Sequence, residues 1–204
     1  MTPNDKSVIF GITGGSGSGK SYVSDIFRKN GFFIIDADKI GHQIIMPGKK
    51  AYFELIEHFG KKILTENGEI DRGTLGKIVF SDNNELKFLN SVTHPRICAE
   101  IYGQAGEKGG IVGADGALLI ESGLKCRPII AVIADKNVRA ERIMRRDGIS
   151  RESAESRINS QKDAAFYRSR CDYIIENNSA GSEGDIEDKI KKIIYELREN
   201  YGKK

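Results

Sequence analysis

Apolar positions follow two rhythms along this chain. Val8-Ile9-Phe10-Gly11-Ile12 is a short β-rich run that breaks into the glycine cluster Gly14 to Gly19. Beyond it Tyr22, Val23, Ile26 and Phe27 recur at i, i+1, i+4 and i+5, the spacing of one helical face. Asn30-Gly31 supplies a glycine stop for that helix. Phe32-Phe33-Ile34-Ile35 predicts a second buried strand running into Asp36-Ala37-Asp38. Strand, helix and strand within about 30 residues make the βαβ unit of a parallel sheet. The rhythm returns later. Ile111-Val112 through Leu118-Leu119-Ile120 predicts a third strand and its exit, and Ile174-Ile175 a further short one. Pro128 to Ala134 predicts a strand without polar alternation, as expected when helices cover both faces. Ile186, Ile190, Ile193, Leu197 and Tyr201, with lysines and glutamates between them, predict a C-terminal helix.

Two stretches depart from this alternation. Residues 48–106 read as a mainly helical insertion between the second and third strands, with Tyr52, Leu55, Ile56 and Phe59 on one face. The segment 139–170 carries eight arginines, at 139, 142, 145, 146, 151, 157, 168 and 170, interleaved with acids. It reads as two helices broken at Asp147-Gly148, with Ser150 as N-cap of the second. Ser179 to Gly184 is a Ser/Gly-rich turn.

Composition narrows the class. The chain has 204 residues, 39% of them hydrophobic and 30% charged, which excludes a disordered tail and an integral membrane protein. Cys98, Cys126 and Cys171 are odd in number, widely spaced and form no CxxC pair. They argue against a disulfide framework or a zinc site and suit a reducing cytosol. The polar stretch Met1 to Ser7 has no apolar targeting region, so the expectation is a cytoplasmic protein that uses no membrane. A net charge of +3 is too mild to imply nucleic acid.

The glycine cluster carries the first chemistry. Gly14-Gly15-Ser16-Gly17-Ser18-Gly19-Lys20-Ser21 satisfies G-x-x-x-x-G-K-[ST] at every fixed position, between a predicted strand and a predicted helix. Phosphate oxygens need several backbone N–H donors converging on them, and residues without a Cβ let the chain wrap that tightly. The following helix aims its positive end at the phosphates. Lys20 would reach the β- and γ-phosphates of a nucleoside triphosphate, and the Ser21 hydroxyl would ligate Mg²⁺. The spacing of Gly15, Gly17 and Gly19 does not fit G-x-G-x-x-G, so a dinucleotide site is disfavoured. No N-K-x-D occurs, against a guanine-specific switch.

Asp36 and Asp38 close the second strand. Ligands of an open parallel sheet bind at the carboxyl ends of strands, so both acids are expected in the same crevice as the glycine loop. Two residues apart in extended chain, they would point to one side. One could be the general base for an acceptor hydroxyl while the other holds water around the metal. The plainer alternative is that Asp-Ala-Asp caps a helix beginning at Lys39. Arg142, Arg145 and Arg146 precede the Gly148 hinge and suit a mobile lid over transferring phosphate, against the alternative of a solvated helix of ion pairs.

Further elements recur together: Gly11-Ile12-Thr13-Gly14-Gly15, Ile35-Asp36-Ala37-Asp38 with His42-Gln43, Pro47-Gly48, Asp71-Arg72, Ile78-Val79-Phe80 and His94-Pro95. After Asp115 come Leu118 to Leu124, Glu141-Arg142-Ile143-Met144 with Arg146-Asp147-Gly148, Arg157-Ile158 with Gln161, and Ile175 with Asn177. With these the chain resembles the dephospho-CoA kinase family from Phe10 to about Tyr201. The resemblance implies an α/β fold, a three-layer P-loop NTPase core with a parallel sheet, a helical substrate-binding insertion and a small helical lid. It divides the chain into a nucleotide-binding core (1–47, 107–138 and 171–204), a CoA-substrate domain (48–106) and a lid (139–170). It implies transfer of the γ-phosphoryl of ATP to the ribose 3′-hydroxyl of dephospho-CoA.

By position, Asp38 is then the base, Lys20 the phosphate clamp, and Arg142 and Arg146 the lid contacts to ATP. Gly15, Ser16, Gly17, Ser18, Gly19, Lys20, Ser21 and Tyr22 hold the nucleotide, and Asn177 lies near the adenine. Asp36, Asp38, Arg72, His94 and Asp115 belong to the acceptor side. His94-Pro95 also reads simply as a turn leading into a helix. Ser16, Tyr22 and Ala117 stand where the family usually has an apolar residue, Thr and Pro. A nucleoside or nucleotide kinase would share the core and lid, and the helical insertion separates the two. A non-catalytic ATP-dependent switch expects an apolar run ending Asp-Glu, and here Asp115 is followed by Gly116.

Overall fold

The structure is a computed structural model and describes residues 7–178 and 183–202. Most of the turn expected at Ser179 to Gly184, and most of the polar N-terminal stretch, lie outside the described residues. Five strands, β1 (Ser7–Thr13), β2 (Phe33–Asp36), β3 (Gly110–Asp115), β4 (Ile129–Ile133) and β5 (Tyr173–Glu176), form one parallel sheet in the order β2-β3-β1-β4-β5. The third strand stops at Asp115, so Leu118-Leu119-Ile120 belongs to the turn after it. Hydrogen bonds pin that exit where Ala117 stands: Gly116 N–H donates to Ile12 O at 3.1 Å and Thr13 Oγ1 to Ala117 O at 3.3 Å.

Alternation along the strands builds a core on each face. Phe10 and Ile12 of β1 with Ile130 and Val132 of β4 meet α1 (Lys20–Lys29) and the C-terminal helix through Phe27, Ile190 and Leu197. Ile9 and Ile129 face the other way and meet Ile40, Ile101 and Ala105. Ile40 belongs to α2 (Ala37–Gln43). The helical region adds α3 (Lys50–Phe59), a 3-10 turn at Lys61–Ile63, α4 (Arg72–Ser81) and α5 (Asn83–Lys108), which share their own cluster around Leu55, Leu75 and Val92.

The 26-residue α5 ties the two bodies together. Val92 in its first half packs in the helical cluster, and Ile101 and Ala105 in its second half cover the sheet. It runs unbroken through His94 and Pro95, so these residues form no turn leading into a helix. Around the proline, Thr93 Oγ1 donates to Leu89 O at 2.8 Å and Arg96 Nη1 to Val92 O at 2.5 Å. These side-chain donors add to carbonyls that flank Ser91 O, the acceptor left without its helical donor because Pro95 has no N–H.

Past β4, α6 (Lys136–Asp147) and α7 (Arg151–Asn159) pack through Ala140, Ile143, Ala154 and Ile158. Gly148 ends α6 in the left-handed region at φ 66°, and Ser150 Oγ caps α7 by accepting from Ser153 N–H. A short α8 (Ala164–Arg168) and the long α9 (Glu183–Tyr201) complete the chain. Among the described residues no helix is long and apolar enough to cross a membrane.

Candidate active site

β1 lies between β3 and β4, so the chain leaves the sheet at the point where neighbouring connections diverge, and a crevice opens above its carboxyl end. The glycine loop fills that place. Gly19 sits at the N-cap of α1 with φ 97° and no side-chain cap, and the first turn of α1 holds no acid. The helix therefore presents free amide donors and no competing carboxylate, the condition for an anion cradle. A cavity of about 410 Å³ lies against Gly15, Gly17, Lys20, Ser21, Arg142 and Arg146, with Ser16, Gly19 and Asp38 also on its wall.

The loop is braced from behind. The Asn177 side chain, 8% exposed, donates through Nδ2 to Ser18 O at 3.0 Å. Arg142 spends its fork on Asn177, Nη1 on the main-chain oxygen and Nη2 on Oδ1, both at 3.0 Å. Asn177 thus stands beneath the loop as a brace, and Arg142 spans brace and cavity wall. Ser18 Oγ is buried without a hydrogen-bond partner among the described residues. The Tyr22 ring turns toward the core beside α9, its hydroxyl 3.5 Å from Glu187 Oε1, away from the cavity.

A second brace went unrecognised in the sequence. Arg139, 8% exposed, donates through Nε to Ser16 O at 2.9 Å and through Nη2 to Gln161 Oε1 at 2.6 Å. The same Gln161 oxygen accepts Ser16 N–H at 2.8 Å. Arg139 was hidden among eight arginines with no positional signal, and Gln161 appeared only as part of a family motif. Burial lowers the pKa of both Arg139 and Arg142 from the ordinary guanidinium value. Arg146 is exposed and bound to Asp147 through Nε at 2.6 Å, with Ser16 Oγ 3.4 Å from its Nη2. Arg157 reaches the same Asp147 at 2.5 Å. Arg145 does not line the cavity.

The two acids of Asp-Ala-Asp sit on different elements, yet both lie near Asp115, whose pKa each of them raises. Asp36 ends β2 and caps α2, its carboxylate accepting Lys39 N–H at 2.8 Å, so the plainer alternative holds for this residue. The helix begins at Ala37, and Asp38 lies in its first turn. The extended-chain expectation fails because the chain has already turned into α2 between them. Asp115, paired with Asp36 in the β2–β3 register, accepts Ser24 Oγ at 2.7 Å. Burial raises its pKa, opposed by the Ser24 hydroxyl and then by Lys20.

A second cavity of about 310 Å³ lies between α2, α4, α5 and the turn after β3. Arg72 and His94 line it, as do Leu75, Val79 and Ile97. Phe80 and Leu118 stand at its edge, 79% and 55% exposed. Burial lowers the His94 pKa, opposed by Glu121. Asp38 lines both this cavity and the phosphate cradle.

Among the described residues no three His, Cys, Asp or Glu side chains are grouped to hold a metal by themselves. Ser21 on the cradle wall and the carboxylates at the strand ends are hard oxygen donors, which fits Mg²⁺ arriving with phosphate oxygens and its own waters.

Residues 8–183 match the model of the dephospho-CoA kinase (CoaE) family. The dephospho-CoA kinase of Corynebacterium glutamicum is 38% identical over 193 residues, covering 92% of this chain and 98% of the relative. That of Carboxydothermus hydrogenoformans is 42% identical over 178 residues, covering 84% and 86%. Among solved structures, TT1252 from Thermus thermophilus superposes with a TM-score of 0.80 at 30% identity, covering 95% of this chain and 99% of that one.

Proposed function

Since the chain belongs to the dephospho-CoA kinase family of ATP-dependent phosphotransferases, we propose a division of labour among its residues for moving the γ-phosphoryl of ATP to the ribose 3′-hydroxyl of dephospho-CoA. One observation supports it above the others: Asp38 is shared by the phosphate cradle and the second cavity. A donor phosphate in the first and an acceptor alcohol in the second would meet at its carboxylate.

In this reading the cradle amides and Lys20 hold the ATP phosphates. Asp38 accepts the proton of the acceptor hydroxyl as that oxygen attacks phosphorus, and ADP leaves. Arg142 and Arg146 stabilise charge on the transferring group, Arg146 by exchanging its pairing with Asp147 for phosphate oxygens. Mg²⁺, held by Ser21 with the β- and γ-phosphates, would neutralise part of that charge, and Asp36 or Asp115 would order its waters. Arg72 and His94 contact the acceptor. Residues 1–47, 107–138 and 171–204 act as the nucleotide core, 48–106 grip dephospho-CoA, and 139–170 close as a lid. The expected compartment is the cytoplasm.

Purified protein with Mg·ATP is expected to release ADP rapidly only when dephospho-CoA is added. Asp38→Asn loses about 10²–10⁴-fold of that turnover while still binding ATP. Equal ADP release with AMP, CMP or water as acceptor overturns the substrate assignment. A loss under roughly tenfold removes Asp38 as the base.

A further inference from the structure

Helices α2 and α4 each carry a glycine inside the helix, Gly41 and Gly76, and both line the second cavity. Glycine within a helix is less stable than alanine, since it has more backbone freedom to lose. Protein packing does not require it at either position. A Cβ at Gly41 would stand 3.6 Å from Ile97 Cδ1, and one at Gly76 would stand 3.7 Å from the Phe80 ring, both ordinary contact distances. Neither glycine has a positive φ. What the missing methyl groups leave is flat backbone facing the cavity from two sides.

Resting on the kinase reading above, we propose that Gly41 and Gly76 are specificity-determining positions that let the adenine base of the acceptor lie flat against α2 and α4. Gly41 follows Asp38 by three residues, about 4.5 Å along the helix axis. An acceptor hydroxyl at Asp38 sets its own ribose, and then the base joined to that ribose, over the next turn of α2. The lining there is Ile45, Leu75 and Ile97, surroundings that disfavour the charged diphosphate and suit a flat base. The cation for the diphosphate, Arg72, lies one turn before Gly76 on α4, and Phe80 lies one turn after it. Phe80 is an exposed aromatic ring on the cavity edge, poised to cover the base.

The test compares Gly41→Ala and Gly76→Ala with Gly103→Ala, a glycine inside α5 that faces solvent with nothing near its absent Cβ. Each cavity variant is expected to raise KM for dephospho-CoA about 10–200-fold and to leave KM for ATP within about twofold. Both should melt at or above the wild-type temperature, and Gly103→Ala should move neither KM. 4′-Phosphopantetheine, which lacks the base, should inhibit the cavity variants and the wild type equally. An unchanged acceptor KM in both variants overturns the proposal. So does a rise matched by KM for ATP or by the 4′-phosphopantetheine inhibition constant. Wild-type protein indifferent to dephospho-CoA would instead sink the kinase reading, and the wild-type arm alone decides that.

Discussion

The two cavities that meet at Asp38 are built on opposite principles. Around the phosphate cradle a Cβ added at Gly15 or Gly17 would run into Arg139, and one at Gly19 into Asn177. On the helical walls across Asp38, a Cβ at Gly41 or Gly76 would meet neighbours at ordinary contact distances, whereas at Gly116, in the turn after β3, it would stand 2.8 Å from Ala37 Cβ. The cradle is thus fixed by the protein's own packing, with buried polar side chains gripping its carbonyls. The second cavity is space left between helices α2, α4 and α5, whose glycines Gly41 and Gly76 could carry a methyl group. Damage to the first should reach fold and function together, whereas damage to the second should reach binding alone.

The hardest blow to that contrast is Gly19→Ala. At φ 97° an L side chain is strained, costing about 1–3 kcal/mol, and the new methyl group displaces the Asn177 brace. Losing aligned donors to a transferring phosphoryl should lower turnover about 10²–10³-fold. Thermal melting and steady-state rates measured on the same preparation should fall together. A variant that melts normally yet is inactive would show that the cradle is no more tied to the fold than its neighbour.

This division also governs what could be read from the chain. The cradle was legible because its residues are consecutive and backbone geometry dictates their type. The break at Asp147-Gly148 and the Ser150 cap were legible for the same local reason. The extended geometry expected of Asp36 and Asp38 does not hold, because the helix begins at Ala37 and apolar period does not reveal where a strand becomes a helix. Pro95 suggested a boundary that α5 overrides, since cores at both ends anchor it and side chains serve carbonyls beside the proline. Arg139 could not be singled out, because burial of one arginine among eight depends on where α6 docks. Leu75 and Ile97 carry no signal of their own in the sequence, and their place on the cavity wall depends on what the packing leaves open.

Acidification sharpens the comparison through two of the perturbed groups, Asp147 beside the cradle and His94 in the second cavity. Hydrogen bonds from Arg146 and then Arg157 hold the Asp147 carboxyl at about 2. Its folded value lies below the unfolded one near 3.9, so its stabilisation of the α6–α7 pair is present above about pH 4 and fades toward pH 2. Burial holds His94 below its ordinary 6.5. Its contribution is complete above that value and is lost as pH falls through the lower folded pKa. As pH falls below 6.5, His94 is therefore a group in the second cavity that gains charge. KM for dephospho-CoA should change with His94 protonation, by up to about tenfold per pH unit, while KM for ATP stays level. His94→Gln should flatten the acceptor profile. Parallel profiles for both substrates would mean that the two regions do not titrate separately.

The smallest expected effect is the most discriminating, because it asks whether a residue can matter to one substrate and not to the fold. Phe80 is 79% exposed and makes little use of its ring within the protein, so Phe80→Ala should change stability by no more than about 0.5 kcal/mol. If the ring covers the acceptor's base, its loss removes a stacking contact of about 0.5–1.5 kcal/mol, a rise of roughly 2–10-fold in KM for dephospho-CoA. Turnover at saturating acceptor and KM for ATP should hold. A drop in melting temperature with no change in acceptor KM would make Phe80 part of the helical cluster around Leu75 and Val79. The cavity would then have the same packing-bound character as the cradle, and the contrast between the two would be gone.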